Sequence, residues 1–77
     1  MEYEALKAAI DRVLQVYIKE IHMDSRLGSD LGADSIDITQ IFKCVEDTLG
    51  IKINDVNLED VVTVEDALNV IKASVNN

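Results

Sequence analysis

Apolar residues recur at helical spacing in three segments of the chain. Residues 3–17, 35–49 and 63–75 each place an apolar side chain every three or four positions, which is the spacing of one helix face. The three stripes contain Leu6, Ile10, Val13, Leu14 and Tyr17, then Ile38, Ile41, Phe42, Val45 and Leu49, then Val64, Ala67, Leu68, Ile71 and Val75. The pattern predicts three helices that bury these faces against one another.

Polar and glycine residues predict where two of these helices end or begin. Gly50 follows the second stripe directly and is a good C-terminal stop, because glycine adopts the left-handed conformation without strain. Thr63 is followed three residues later by Asp66, which resembles a capping box, although Glu or Gln is usual at the second position. We therefore expect the last helix to start at Thr63.

Residues 18–34 interrupt the helical spacing and predict a long loop. Gly28, Ser29, Asp30, Gly32 and Asp34 are turn formers. Loops of this length in compact domains are usually functional or disordered. The spacing of the apolar residues at positions 27 and 31, which would return the loop to the core, favours an ordered loop.

Residues 51–62 are short and mixed in character. Ile51 and Ile53 are expected to point inward, and Asp55 is a candidate start of a short helix that runs to Asp60. The β-branched runs KINDV and DVVTV are too short for a strand and lack a turn-linked partner. The predicted fold class is all-α: a small four-helix bundle of three main helices and a short third helix, with a long first loop.

The composition describes one small acidic domain that spans residues 1–77. The chain is 48% apolar, which is too apolar for a disordered acidic tail. Residues 28–66 contain ten acidic side chains and only Lys43 and Lys52 as bases, so this part carries a net charge of −8, equal to that of the whole chain. Such a chain is a poor nucleic-acid binder. Its charge is either a solvated surface that aids solubility or a docking surface for basic partners.

Several other classes of protein are excluded by the sequence. The single cysteine, Cys44, cannot form an internal disulfide, and we expect its thiol at the core boundary without a metal partner. No apolar run approaches the roughly 20 residues that span a bilayer, so no membrane insertion is expected. The N-terminal residues do not have the pattern of a signal peptide. We expect a cytoplasmic monomer with no metal site and with His22 at a loop surface.

The segment from Asp30 to Asp37 is the candidate chemical site. Ser35 lies where the long loop becomes the second helix, near the free N–H groups and the positive end of that helix. A phosphoester on its hydroxyl is favoured there. Asp34 and Asp37 flank it, as contacts for a basic enzyme or as ligands for a divalent cation that brings a phosphate donor. Alternatively, Asp34 is simply an N-cap and Ser35 a first-turn residue.

The segment Asp-Leu-Gly-Ala-Asp-Ser-Ile-Asp resembles the 4′-phosphopantetheine attachment motif of acyl carrier proteins, in which Asp-Ser-Leu is the usual core. The resemblance extends to the length, the acidic balance, the long first loop and the entry into the last helix at residues 62–67. It implies that Ser35 is the modified residue, that Asp34 is the acidic residue read by the transferase, and that the protein is a carrier and not an enzyme.

The resemblance also implies the cofactor and the partners. A holo-carrier synthase, a phosphopantetheinyl transferase, would move 4′-phosphopantetheine from coenzyme A to Ser35, and the arm would hold acyl groups as thioesters. Acyl-transferring and chain-elongating enzymes with basic patches would receive them, in fatty acid or related biosynthesis. Two alternatives stay open: a specialised carrier for polyketide or other secondary-pathway intermediates, and a non-modified acidic helical adaptor.

In that family the second helix is the main recognition surface. The expected partner-binding residues are Ile36, Asp37, Gln40, Lys43, Glu46 and Asp47. Ile36 replaces the usual Leu, Gln40 stands where an acid is frequent, and Lys43 stands where an apolar residue is frequent. Lys43 therefore indicates specialised partners, unless it only forms an i, i+4 pair with Asp47, worth tenths of a kcal/mol.

Overall fold

The described part of the chain folds into three α-helices connected by two irregular segments. The computed structural model describes residues 1–54 and 56–75, and in it α1 spans Glu2–Leu14, α2 spans Ser35–Leu49 and α3 spans Val64–Val75. Across these ranges there is no β-strand, and no helix is both long and apolar enough to cross a membrane. The prediction of an all-helical fold is confirmed.

The predicted fourth helix is replaced by a single 3₁₀ turn at Leu58–Asp60, so the count of four helices is wrong. The turn begins where the Asn57 side chain accepts a hydrogen bond from the Glu59 N–H at 3.1 Å. It ends because the next residue, Val61, is buried and leads into the extended entry of α3. The candidate start at Asp55 lies outside the described residues.

The end of α1 also differs from the prediction. The helix stops at Leu14 because Gln15 adopts the left-handed conformation, with φ 57°, while its N–H donates to the Asp11 carbonyl at 2.7 Å. A left-handed residue after a helix redirects the chain away from the helix axis. Tyr17 is consequently 74% exposed, and its predicted place on the inward face is wrong.

The core lies between the three helices and includes part of the first loop. The remaining predicted stripe residues are buried or half-buried, apart from Val75 at the end of α3, which is 41% exposed. The largest fully buried side chains are Leu6, Ile10, Leu27, Ile41, Val45, Val64, Leu68 and Ile71. Each contributes roughly 1.5–3 kcal/mol of hydrophobic stabilisation, so the helices hold together through these faces.

The first loop is ordered, as predicted. It contains a 3₁₀ turn at Ile18–Glu20 and returns to the core through Leu27, which is buried, and Leu31, which packs against it. Its backbone also pairs with the entry of α3. The Leu27 N–H donates to the Val62 carbonyl and the Val64 N–H donates to the Ser25 carbonyl, both at 2.9 Å. This antiparallel contact of residues 25–27 with residues 62–64 is called the loop bridge below.

A capping box starts α3, as the sequence predicted. Thr63 Oγ1 accepts a hydrogen bond from the Asp66 N–H at 3.1 Å, while Asp66 Oδ2 accepts from the N–H groups of Thr63 and Val62, also at 3.1 Å. The bond from the Thr63 N–H, followed by that from Val62, holds the pKa of Asp66 below its usual value. The charged carboxylate thus stabilises both α3 and the loop bridge.

We expect Asp66→Ala to lower the free energy of unfolding by about 1 kcal/mol at neutral pH, measured by urea denaturation. Because the pKa of Asp66 is lowered on folding, its contribution is complete above the ordinary Asp pKa of about 3.9. It is lost as the pH falls through the lowered value.

The matched control is Glu65→Ala, which removes an exposed acid from the same turn. A loss of stability as large in Glu65→Ala as in Asp66→Ala would contradict the assigned role of the Asp66 carboxylate.

Candidate functional site

Two aspartates arrange the start of α2. Asp34 Oδ1 accepts a hydrogen bond from the Asp37 N–H at 2.9 Å, and the Asp34 N–H donates to Asp37 Oδ2 at 3.3 Å. Asp34 is therefore the N-cap of α2 and Ser35 its first helical residue. The two acids fix the backbone on both sides of Ser35, whatever contacts they make with a partner.

The Ser35 hydroxyl is exposed and unengaged. The Ser35 carbonyl accepts a hydrogen bond from Thr39 Oγ1 at 2.9 Å, but no hydrogen bond to Ser35 Oγ occurs within residues 1–54 and 56–75. A serine that acts as an enzyme nucleophile needs a base within hydrogen-bond reach. His22, which is exposed in the first loop, does not provide one, because no hydrogen bond joins its ring to Ser35 within the described residues. The predicted surface position of His22 is confirmed.

A surface groove of about 380 Å³ opens beside Ser35. The first loop contributes Arg26, Gly28, Ser29 and Ala33 to its lining, and the segment after α2 contributes Leu58, Glu59, Val61 and Val62. Its inner part is apolar, since Ala33, Ile38 and Val61 are buried. An elongated group attached to Ser35 therefore has an adjacent surface with an apolar interior and charged sides.

The predicted partner residues of α2 divide into two kinds. Ile36, Gln40, Lys43 and Asp47 are exposed and share one face at i, i+4, i+7 and i+11; we call them the outer stripe. Asp37 and Glu46 are only half-exposed, and both bond to backbone: Asp37 to Asp34 as above, and Glu46 Oε2 to the Ile53 N–H at 2.7 Å. The latter bond ties the segment after α2 to the helix.

Lys43 does not form the i, i+4 pair with Asp47 that the sequence left open as the alternative. Over the part of the chain that the structure describes, the one ion pair within 4.0 Å joins the Met1 α-amino group and Glu4 Oε1, at 2.9 Å. The interpretation of Lys43 as half of an ordinary i, i+4 pair is wrong, because its exposed ammonium is left to solvent or to a partner.

The acidic side chains do not gather into a metal site. Among the described residues no group of three or more His, Cys, Asp or Glu side chains is arranged to hold a metal ion. Cys44 is a half-buried free thiol, as expected for a residue at the core boundary.

Comparison with known proteins shows the family to which the chain belongs. The family described as "Phosphopantetheine attachment site" matches residues 4–71, which is most of the chain. The chain belongs to this family. The family's domain is the site of covalent 4′-phosphopantetheine attachment, and its members are carriers and not catalysts, as the resemblance implied.

Relatives named "Acyl carrier protein" match almost end to end. The protein from Clostridium acetobutylicum is 38% identical, over 95% of this chain and 95% of its own length. Those from Solidesulfovibrio magneticus and Helicobacter hepaticus are each 33% identical, over 90% and 94% of this chain and 88% and 95% of their own lengths. The likeness therefore covers most of the chain and is not confined to the serine motif.

The residues at the start of α2 fit a phosphopantetheine group. Ser35 offers an exposed hydroxyl with no hydrogen-bond partner in the described chain, and the groove beside it leaves space for an extended substituent. The groove residues Arg26, Glu59 and Val62 were not singled out from the sequence. They come from segments more than 30 positions apart, and only the loop bridge brings them to one surface.

We expect Asp34→Ala to destabilise the apo protein by about 1 kcal/mol, because the Asp37 N–H loses its acceptor, whereas Asp34→Asn retains most of the stability because Asn is an equally good N-cap. Urea denaturation of both variants measures the difference.

Asp47→Ala is the control, since it removes an exposed acid from the same helix without removing a cap. Equal destabilisation by Asp34→Ala and Asp34→Asn would show that the charge, and not the cap, is the important property of Asp34.

Proposed function

We propose that this chain is an acyl carrier protein that forms one domain over residues 1–77 and carries 4′-phosphopantetheine on Ser35. The observation that carries the proposal is the Ser35 hydroxyl, which is exposed at the first position of α2 within the range matched by the attachment family. Asp34 then has two roles, as the N-cap of α2 and as an acidic contact for the transferase.

The chain enters the attachment reaction as an acceptor. Ser35 Oγ forms a bond to the pantetheine phosphorus of coenzyme A, the pyrophosphate bond breaks, and the adenosine bisphosphate part leaves. The hydroxyl proton passes to a base of the transferase, because the described chain places none at Ser35. Once attached, the arm supplies a terminal thiol that holds an acyl group as a thioester.

The proposed partners are a phosphopantetheinyl transferase and enzymes that load, elongate or unload acyl groups. The excess of acidic residues in segment 28–66 favours enzymes with basic patches around their entrances, because complementary charges accelerate encounter. In the outer stripe, Ile36 is 66% exposed and offers a partner an apolar contact one residue after Ser35. Gln40, Lys43 and Asp47 offer the polar and charged contacts of the same face. Asp37 and Glu46 contribute negative charge beside the stripe. We place this carrier in the cytoplasm as a monomer.

Lys43 favours a specialised carrier over one that serves general fatty acid synthesis. Its charge is opposite to that of the surrounding acidic residues, and no side chain in the described chain pairs with it within 4.0 Å. A basic partner surface would be repelled at this point, whereas a partner with an acidic residue facing Lys43 would be selected. Such a partner would belong to a polyketide or other secondary pathway, and the cargo would be an intermediate of that pathway.

Incubation with coenzyme A, magnesium and a promiscuous phosphopantetheinyl transferase is expected to add one phosphopantetheine, detected by intact mass. Ser35→Ala is expected to abolish the adduct because it removes the accepting oxygen.

Ser29→Ala is the matched control, since Ser29 is an exposed serine that lines the same groove, and it should be modified like the unsubstituted protein. If a known carrier is modified in the same mixture and this chain is not, the carrier proposal fails and the unmodified acidic adaptor becomes the better account.

Lys43→Glu is expected to strengthen binding to a chain-elongating enzyme of general fatty acid synthesis by about threefold at low ionic strength, because an exposed repulsive contact becomes attractive. The dissociation constant is measured for the holo-protein, and the gain should shrink as salt is added.

Lys72→Glu makes the same change in net charge on α3 and separates the effect of position from that of total charge. An unchanged or weaker affinity of Lys43→Glu at low salt would contradict the assigned role of Lys43.

A further inference from the structure

We propose that Arg26 is a positioning residue for the attached arm, with its guanidinium bound to the phosphate that links the arm to Ser35. The inference rests on the proposed modification of Ser35. It extends the site of the attached arm to a residue outside the serine motif. The ligand that it assigns to the charged side of the groove is a phosphodiester.

A phosphodiester on Ser35 would stand in a negative environment. The carboxylates of Asp34 and Asp37 cap the helix on either side of Ser35, and Glu59 also lines the groove. Like charges at short range repel one another, and the repulsion is stronger where protein limits access of solvent. The phosphate would therefore be drawn toward any cation that faces the same groove.

Arg26 is the basic side chain that lines this groove. No carboxylate of the described chain lies within 4.0 Å of its guanidinium, so its charge is not neutralised by an ion pair. A guanidinium presents several N–H donors in one plane and binds phosphate oxygens through paired hydrogen bonds. Lys43 does not compete for this role, because it is not part of the groove lining.

The backbone of Arg26 is held in place before any arm is attached. Its N–H donates to Asp30 Oδ2 at 2.8 Å, and its carbonyl accepts from the Asp30 N–H at 2.9 Å. It also stands opposite Thr63 in the loop bridge. Only the side chain must be ordered when it binds phosphate, which reduces the entropy lost on contact.

The chain has only two arginines, Arg12 and Arg26, and this makes a direct test possible. Both side chains are exposed and neither has an ion-pair partner within 4.0 Å in the described chain, but Arg12 lies on α1 and does not line the groove. The Nε–H signals of both arginines can be followed in ¹⁵N-labelled apo- and holo-protein at low ionic strength.

On conversion to the holo-form, we expect the Arg26 Nε–H signal to shift and its exchange with water to slow by about two- to fivefold, the effect of one exposed charge-assisted contact. The Arg12 signal should stay unchanged. In parallel, Arg26→Gln is expected to shift the ³¹P resonance of the holo-protein, while Arg12→Gln, which makes the same change in charge, should not shift it.

An Arg26 Nε–H signal that is the same in apo- and holo-protein would overturn the inference while leaving the modification of Ser35 intact. If intact mass shows that no adduct forms on the unsubstituted protein, both the proposed function and this inference fail. Because the Nε–H measurement uses the unsubstituted chain, the test does not depend on whether Arg26→Gln folds.

Discussion

The pairing of residues 25–27 with residues 62–64 is the constraint on which the site depends. Two backbone hydrogen bonds of 2.9 Å join the first loop to the entry of α3, one donated by the N–H of buried Leu27 to Val62 and one by the N–H of buried Val64 to Ser25. Without that contact, the 20-residue connection would rely on its apolar contacts and on hydrogen bonds that lie mostly within the loop itself, against its conformational entropy. With it, the loop forms one wall of the groove and brings the chain to Ser35 in a defined position.

The acidic residues of the chain do more than set its net charge. Asp34, Asp37, Glu46 and Asp66 each accept a hydrogen bond from a backbone N–H at or near the end of a helix. At the helix starts, these bonds replace water for N–H groups that the helices cannot satisfy internally, whereas the bond to Glu46 pairs an N–H of the segment after α2. Asp34 and Asp37 also put negative charge on both sides of Ser35 in the chain, so the caps of α2 belong to the acidic surface that we propose basic enzymes recognise.

Against that acidic background, two cations stand out by position. Lys43 lies on the outer stripe of α2, which we propose faces partner enzymes, and Arg26 lines the groove, where we propose that it holds the arm. The charge of Lys43 affects which enzyme docks, since a charge on an exposed face changes the rate of encounter and the choice of partner. The charge of Arg26 would affect how the attached arm is held. Under these two proposals, partner choice depends on a residue of α2 and arm placement on a residue of the first loop.

The sequence alone determined the local interactions of the chain. The apolar stripes, the stop at Gly50, the capping pair of Thr63 with Asp66 and the position of Ser35 at a helix start all depend on residues a few positions apart, as helical geometry requires. Four features became visible only in the tertiary structure. They are the left-handed Gln15 that exposes Tyr17, the reduction of the third helix to a turn, the hydrogen bond from Ile53 to Glu46, and the groove that Arg26 lines. The groove arises from contacts between segments distant in sequence, which periodicity does not encode. The turn, the bond to Glu46 and the conformation of Gln15 are more local, but they lie in irregular segments where no helical period predicts the backbone.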